Sequence, residues 1–199
     1  GGTTEIAVFE QGTLLTTSVL PIGGEYITKD LAIVLRTSLE EASRIKETHG
    51  VASPAMARND MIINVRNVQG KEARQVSQAV VADIISARVM EITEMIYSEL
   101  CQSTYLDKLP GGLVITGGGA QLAGLVEVME DYMKIPVRLG NPENVRGIPS
   151  DLNKPQNAVA LGGLLYGSDR MTTLASESNF GVTSVFNKIS LWLKDLFAY

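Results

Sequence analysis

The sequence predicts an α/β fold, because strand-like segments alternate with helical ones along most of the chain. Apolar residues follow an extended, β-favouring pattern in some segments and recur at helical spacing in others. The 199 residues are 45% apolar and 20% charged, as expected for a globular protein with a hydrophobic core. This length allows one large domain or two smaller ones that share a sheet.

Composition and charge exclude several classes of protein. The net charge of −5 argues against binding to nucleic acid, which needs a basic face. Cys101 is the only cysteine, so no internal disulfide can form, and a reducing compartment is expected. One cysteine and one histidine cannot assemble a metal cluster, and no run of 18 apolar residues predicts a spanning helix. The chain opens without methionine or a signal sequence, so we expect a piece of a longer protein.

Residues 1–24 are predicted to form a β-meander. Residues 5–9 are apolar and β-favouring, Gln11-Gly12 is a turn, and residues 14–20 resume the extended pattern. The opening residues Gly1, Gly2, Thr3 and Thr4 offer little bulk and two hydroxyls, which would suit a phosphate group and its Mg²⁺ shell. A plain hairpin start explains them equally well on local grounds.

Two helices are predicted after residue 24. Ile27, Leu31 and Leu35 fall at helical spacing, with Thr28 as a plausible cap. A second helix opens at Thr37-Ser38, with acidic residues in its first turn, and runs to about residue 49, before a glycine. Lys46 lies one turn before its end, where a lysine is more often solvated than bound to a ligand.

A strand and a long helix are predicted next. Residues 51–60 are a polar loop and residues 61–65 a strand. A helical pattern then extends from about residue 74 to residue 103. Its apolar face shifts near residues 86–88, which indicates either two helices or one that passes between subdomains.

A strand that runs into three glycines is the most distinctive stretch. Residues 113–115 are apolar, Gly117, Gly118, Gly119 and Ala120 follow, and a helical pattern begins at about residue 121. Glycines let a ligand approach the backbone closely, and the first N–H groups of a helix favour an anion. The stretch lacks the lysine of a Walker loop and the spacing of a dinucleotide fingerprint. A tight turn without a ligand therefore remains an equal alternative.

The following residues predict a helix to residue 133, a strand over 136–139, a loop over 140–155 and a helix over 158–166. Residues 168–183 lose the pattern and predict a flexible linker. Residues 184–197 predict an amphipathic helix with an apolar arc of roughly 140°. The arc comprises Val185, Phe186, Ile189, Trp192, Leu193, Leu196 and Phe197, while Lys188 and Lys194 lie off it.

A helix held away from the core by a linker is expected to bind a membrane surface. Docking on its own domain and binding to a partner protein are the alternatives. Partial burial of the arc and about 1 kcal/mol for each lysine on an anionic leaflet predict weak, reversible binding by one tail. Many tails on one filament would bind firmly through their effective concentration.

Taken together, these motifs resemble the FtsA family of actin-like bacterial division proteins. Residues 1–8 are similar to the second phosphate loop of the actin superfamily, and residues 21–30 to its FtsA continuation. Residues 114–125 resemble the adenosine motif. The helix over 160–167 and the amphipathic end also match the family, in the family's order.

The resemblance implies the second lobe of an actin-like (RNase H-like) ATPase fold. Subdomain IIA would comprise residues 1–24 and 90–167, and subdomain IIB residues 25–89. Residues 168–183 would be the linker and residues 184–199 the membrane-targeting helix. ATP and Mg²⁺ are the implied ligands, with adenine and ribose at 117–120, phosphates at Thr3 and Thr4, and Lys46 beside the adenosine. The family often has Glu where this chain has Ser43.

The resemblance also implies a structural role, with slow ATP hydrolysis at most. Such a protein polymerises, joins other division proteins and tethers FtsZ filaments to the anionic cytoplasmic face of the membrane at the division septum. The contact with the acidic FtsZ tail lies on subdomain IIB, where Arg74 and Arg88 match basic positions. Paired arginines suit a peptide with acidic residues. A superfamily kinase or ATPase, or another actin-like scaffold for cell shape or pilus assembly, is the alternative.

Overall fold

The computed structural model describes residues 1–70, 73–102, 109–143, 145 and 147–177. Strands and helices alternate through these ranges, which confirms the α/β class. No helix within the described ranges has the length and apolarity needed to cross a membrane. The predicted membrane-targeting helix, residues 184–199, lies outside the described residues, as do residues 178–183 of the predicted linker.

The predicted β-meander over residues 1–24 is a two-stranded hairpin in the structure. Strands β1 (Thr4–Glu10) and β2 (Thr13–Leu20) pair antiparallel, with a register shift between Val8 and Phe9. Gln11 and Gly12, at φ +50° and +82°, make the turn, because a two-residue hairpin loop matches the strand twist when both φ angles are positive. Val8 and Leu20 are buried on the inner side.

Two helices follow the hairpin. Helix α1 spans Gly24–Val34 and α2 spans Leu39–His49. The Ser38 hydroxyl accepts a hydrogen bond from the Glu41 N–H, which confirms the predicted cap of α2. The prediction that Thr28 caps the first helix is wrong, because the helix begins one turn earlier, after Gly23, and Thr28 is buried inside it.

The next hairpin corrects the predicted start of the long helix. Strand β3 (Ile62–Arg66) pairs antiparallel with β4 (Ala73–Ser77), so residues 74–77 are extended rather than helical. Pairing with β3 satisfies their backbone groups, which overrides the local helical spacing of the apolar residues. Helix α3 then runs uninterrupted over Gln78–Gln102, which settles the alternative in favour of one helix.

The last part of the described chain is a parallel strand pair with two helices. Strand β5 (Leu113–Ile115) pairs with β6 (Val137–Leu139), and α4 (Leu125–Met133) connects them. Helix α5 spans Ala158–Glu177. The predicted linker is therefore wrong over residues 168–177, because no proline interrupts a helix that is already nucleated and extension costs little.

The buried side chains form two hydrophobic clusters, and α3 contributes to both. The first cluster is built from α1, α2, β3 and the N-terminal half of α3, and Leu31, Ile45 and Ile85 are fully buried in it. The second is built from β1, β2, α4, β6 and the C-terminal half of α3. The buried members of the first cluster lie within residues 25–89, and those of the second lie in residues 1–24 and 90–167. Leu122, Leu125 and Val128 pack against the first cluster and Tyr26 packs against the second.

A second connection between the clusters lies at the end of α2. Val51 forms an isolated parallel bridge with Ala123, and the N–H of Ala52 donates to the Ala123 carbonyl oxygen at 2.8 Å. Gly50 precedes this bridge, and a Cβ atom there would lie 2.3 Å from the Lys46 carbonyl oxygen. A side chain at residue 50 would therefore disturb the junction of the two clusters.

Candidate nucleotide cleft

An open cleft of about 1040 Å³ lies where the N-terminus of α1, one face of α2 and the glycine turn after β5 meet. The predicted site residues Gly1, Lys46, Gly118 and Gly119 all line it. The rest of the lining is Gly24, Glu25, Ile27, Thr28, Leu39, Glu40, Ser43, Glu47, Thr48, Gly50, Gln121, Leu122, Ala123 and Gln156. The cleft therefore draws on residues of both proposed subdomains.

Two glycines bring the walls of the cleft together. A Cβ atom on Gly24 would lie 3.3 Å from the Cα atom of Gly119, and one on Gly119 would lie 3.6 Å from the Cα atom of Gly24. The first residue of α1 thus contacts the glycine turn backbone to backbone. This approach leaves the polypeptide itself, rather than side chains, exposed at that part of the cleft.

The first residues of the chain are attached to the start of α1. The N–H of Glu25 donates to the Gly1 carbonyl oxygen at 2.9 Å. A Cβ atom on Gly23 would lie only 2.6 Å from the Gly1 carbonyl oxygen and 2.7 Å from that of Thr3. Residue 23 must therefore be glycine for the start of α1 to pack against residues 1–3.

Lys46 is the cation of the cleft, and its position follows from the amphipathic pattern of α2. Its Nζ donates to the Gly24 carbonyl oxygen at 3.1 Å and to the Thr28 hydroxyl at 2.8 Å. Burial lowers the pKa of Lys46, since desolvation disfavours its charged form. An ammonium group has three N–H donors, so one remains for an anion.

Glu25 adds a negative charge near Gly1 and Gly2, where the resemblance implies phosphates. Its Oε2 would lie 3.6 Å from a Cβ atom on Gly2. Lys29 forms an ion pair with Glu25 at 2.9 Å and lowers the pKa of that carboxyl group. The lysine offsets the carboxylate charge that would otherwise repel a phosphate.

Two side-chain pairs on opposite walls were not predicted from the sequence. On α2, the Ser43 hydroxyl donates to Glu47 Oε1 at 2.8 Å, and on the facing wall Gln121 Nε2 donates to Gln156 Oε1 at 2.8 Å. Ser43 lies three residues before Lys46 and four before Glu47, so helical spacing could have identified Ser43 beside Lys46 and its contact with Glu47. No sequence signal links Gln121 to Gln156, 35 residues away. Together they offer donors and acceptors to a polar, flat or hydroxylated ligand.

The other residues predicted for the nucleotide do not line the cleft. Thr4 donates to the Ile22 carbonyl oxygen at 2.7 Å, and Thr3 donates to Glu5 Oε1 at 2.6 Å. Gly117, at φ +96°, donates its N–H to the Pro155 carbonyl oxygen, which makes the turn, and Ala120 is buried. Gly2 is absent from the lining as well.

The two arginines predicted to bind the FtsZ tail differ in their surroundings. The Arg88 guanidinium donates to both carboxylate oxygens of Asp30, at 2.6 and 3.0 Å, and also pairs with Glu91. Arg74 is exposed on β4 and forms no ion pair within the part of the chain that is described. Arg88 therefore holds α3 to α1.

The residues predicted to bind a membrane lie outside the described ranges: Val185, Phe186, Lys188, Ile189, Trp192, Leu193, Lys194, Leu196 and Phe197. Among the residues that are described, no three His, Cys, Asp or Glu side chains lie together as a metal site would require.

Sequence comparisons find the same family throughout. A family model described as "Cell division protein FtsA" matches residues 1–162. The FtsA of Pseudomonas aeruginosa is 33% identical over 205 aligned residues, which cover 99% of this chain and 49% of that protein. The FtsA of Bacillus subtilis is 43% identical over 145 residues, which cover 73% of this chain and 33% of that protein. The chain thus spans about half the length of the curated relatives it matches, or less.

Solved structures with a similar fold are actin-like. The crystal structure of MreB 5 of Spiroplasma citri bound to AMPPNP matches with a TM-score of 0.68 at 18% identity. The match covers 89% of this chain and 53% of that one. At this identity the likeness shows the fold alone, and it confirms the actin-like architecture.

Proposed function

Because this chain belongs to the FtsA family of cell division proteins, we propose that it is part of an actin-like adaptor that binds ATP and tethers FtsZ filaments to the cell membrane. Family membership rests on the match over residues 1–162. The structural observation that carries the proposal is the cleft formed by α1, α2 and the glycine turn. A ligand in this cleft would contact residues of both proposed subdomains.

The proposed ligand of the cleft is ATP with Mg²⁺. The close approach of Gly24 to Gly119 leaves backbone exposed to a nucleoside, and Lys46 supplies a cation with an N–H donor to spare. Ser43, Glu47, Gln121 and Gln156 would contact the polar edges of the base and sugar. When bound, the nucleotide supplies a triphosphate whose charge changes on hydrolysis. In this proposal the protein has different conformations in its ATP and ADP states.

The proposal for Thr3 and Thr4 comes from the resemblance alone. Their hydroxyls donate to Glu5 and to the Ile22 carbonyl oxygen, so these groups would meet phosphates only as acceptors or after rearrangement. The backbone of Gly1 and Gly2 is the simpler candidate, since Gly1 already lines the cleft. No residue is proposed as catalytic, because in this proposal ATP acts by changing the protein's conformation.

The proposed partner of the β3–β4 side is the FtsZ tail. Arg74 is exposed and unpaired among the described residues, and a guanidinium binds carboxylates through two parallel N–H groups. Arg88 contributes indirectly in this proposal, because Asp30 and Glu91 accept from three of its five N–H donors and balance its charge. It would position α1 against α3 beneath the binding surface.

The proposed anchor is the amphipathic segment 184–199. Its apolar arc and two lysines suit the anionic cytoplasmic face of the membrane. Weak binding by one tail would become firm when the protein polymerises, because neighbouring tails then act together. The proposed location is the division septum, in contact with other division proteins.

Vesicle flotation tests the proposal. The full-length protein, anionic vesicles and FtsZ are mixed and separated on a density gradient. The proposal expects FtsZ among the floating vesicles only when the protein is present, and expects removal of residues 184–199 to return both proteins to the bottom fraction. Recovery of FtsZ that does not depend on the protein, or flotation unchanged by the deletion, would contradict it.

A further inference from the structure

One wall of the cleft, formed by the glycine turn, the residues just after it and residue 156, carries no charged side chain among the described residues. Its lining residues are Gly118, Gly119, Gln121, Leu122, Ala123 and Gln156. The charged lining residues all belong to the two helices: Glu25 on α1, and Glu40, Lys46 and Glu47 on α2. The cation that suits a phosphate is therefore on a different wall. Because a purine base is flat and uncharged, the neutral wall suits the base rather than the phosphates.

Two glutamines supply the polar side chains of this neutral wall. Gln121 Nε2 donates to Gln156 Oε1 at 2.8 Å. A carboxamide has two N–H donors and an oxygen with two lone pairs. The bond between the glutamines uses one donor and one acceptor. Gln121 Oε1 and Gln156 Nε2 have no other hydrogen-bond partner within the described part of the chain, so an acceptor and a donor remain for a ligand.

The backbone fixes both glutamines beside the glycine turn. The N–H of Gln121 donates to the Gly118 carbonyl oxygen at 3.2 Å. Gln156 follows Pro155, whose carbonyl oxygen accepts from the Gly117 N–H at 3.1 Å. A Cβ atom on Gly118 would lie 3.8 Å from the Cβ atom of Gln156, which is ordinary van der Waals contact. The bond between the two carboxamides restrains their side chains further, and this lowers the entropy cost of binding a base.

The free groups of the glutamine pair complement one edge of adenine. The 6-amino group of adenine is a donor, and the ring nitrogens on either side of it are acceptors. A glutamine carboxamide binds adenine in DNA through this pattern, with its oxygen on the amino group and its N–H on a ring nitrogen. In the cleft, Gln121 Oε1 would accept from the 6-amino group, and Gln156 Nε2 would donate to the ring nitrogen beside it.

We propose that the Gln121–Gln156 pair selects the base of the bound nucleotide by binding the 6-amino edge of adenine. This inference rests on the proposed function, because it requires that the cleft holds a nucleotide. It assigns the base to the neutral wall and leaves Lys46 to the phosphates. Since each glutamine orients the other, the two side chains are expected to act as one unit.

The test measures the binding of two nucleotides to the full-length protein: ATP, and purine riboside triphosphate, which lacks the 6-amino group. We expect the original protein to bind ATP about three- to tenfold more tightly, which is the usual contribution of a neutral hydrogen bond. Gln121→Leu and Gln156→Leu should each weaken ATP binding by about the same factor and leave binding of the analogue unchanged. The double variant should bind ATP no more weakly than either single variant.

Two controls separate recognition of the base from general effects. Gln75 is exposed on β4, outside the cleft, so Gln75→Leu makes the same change elsewhere and should bind both nucleotides as the original protein does. Lys46→Met should weaken both nucleotides by the same factor, because they share the triphosphate. Gln121 and Gln156 are exposed, so their leucine variants should keep the urea unfolding midpoint of the original protein.

The outcomes distinguish this inference from the proposed function. If the original protein binds both nucleotides equally, or still prefers ATP after both glutamines are replaced, the inference is overturned while the ATP proposal stands. If the leucine variants weaken both nucleotides by the same factor, the glutamines do not select the base, and the inference is again overturned. If neither nucleotide binds to the folded full-length protein, both proposals are overturned.

Discussion

The Cα atom of Gly119 lies 3.3 Å from where a Cβ atom on Gly24 would stand, so α1 and the glycine turn meet without side chains between them. A methyl group at residue 24 would push the two walls of the cleft apart by a few tenths of an ångström. The contact is therefore a sensitive point for the spacing of the cleft.

Gly24→Ala should lower nucleotide affinity while the protein stays folded. Alanine in the first turn of α1 gains about 0.5–1 kcal/mol of helix propensity, which offsets much of the crowding. Urea unfolding and ATP titration of the full-length variant check both expectations. Gly163→Ala is the matched control, since a Cβ atom there meets nothing within 4 Å in α5. Equal ATP affinity in both variants would contradict the proposed contact.

Gly23→Ala should destabilise the fold. Its Cβ atom would lie 2.6 Å from the Gly1 carbonyl oxygen and 2.7 Å from that of Thr3. Gly1 cannot move away without losing the hydrogen bond from the Glu25 N–H, and Thr3 directly precedes β1. We expect a loss of about 1–3 kcal/mol in the free energy of unfolding. Urea unfolding measures this. A midpoint equal to that of the original protein would show that the chain start is not held as described.

Asp30→Asn should destabilise the protein through Arg88. The pair is about three-quarters buried and bidentate, with side-chain exposures of 23% for Arg88 and 26% for Asp30. A double-mutant cycle with Arg88→Gln should give a coupling free energy of about 1 kcal/mol. Asp131→Asn, which removes the exposed partner of Lys134, should leave the unfolding midpoint unchanged. A coupling free energy of zero between Asp30 and Arg88 would contradict the proposed role of Arg88 in joining α3 to α1.

Nucleotide affinity should fall with rising pH because of Lys46. Burial lowers the pKa of Lys46 below its ordinary value of 10.5, so in the folded protein the ammonium loses its proton within the window below 10.5. The lowered pKa also means that the buried ammonium reduces the free energy of unfolding at lower pH. This destabilisation disappears as the pH rises towards 10.5. Lys46→Arg should remove the pH dependence, since arginine stays charged. ATP titrations of both proteins at several pH values below 10.5 test this prediction. The same dependence of ATP affinity on pH in the original protein and in Lys46→Arg would contradict the role of Lys46.

Local signals predicted the elements that depend on local chemistry. Ser38 with Glu41 identified the start of α2, and the glycines after β5 identified the turn at the cleft. Strand β4 was missed because its partner, β3, decides its conformation, and apolar spacing cannot show that pairing. The polar composition of residues 168–177 predicts a linker, but a polar segment without proline can continue a helix, as α5 does to Glu177.

The candidate site was predictable only where one segment supplies it. Gly118 and Gly119 come from a single motif, and Lys46 from one helix face. The ion pair of Arg88 with Asp30 joins residues 58 apart, and the Gln121–Gln156 pair joins residues 35 apart. Such contacts depend on tertiary packing, so the sequence does not show that Arg88 pairs with Asp30 and Glu91. Its predicted role in binding the FtsZ tail stays a prediction.

Titration of the full-length protein with ATP, compared with its Lys46→Met variant, tests the central claim that the cleft of α1, α2 and the glycine turn holds the nucleotide. Methionine fills a similar volume without charge, so the fold should remain. The account predicts that ATP binds to the original protein and that the variant binds about tenfold more weakly. Equal affinity in the two proteins, or no ATP binding by the folded original, would contradict it.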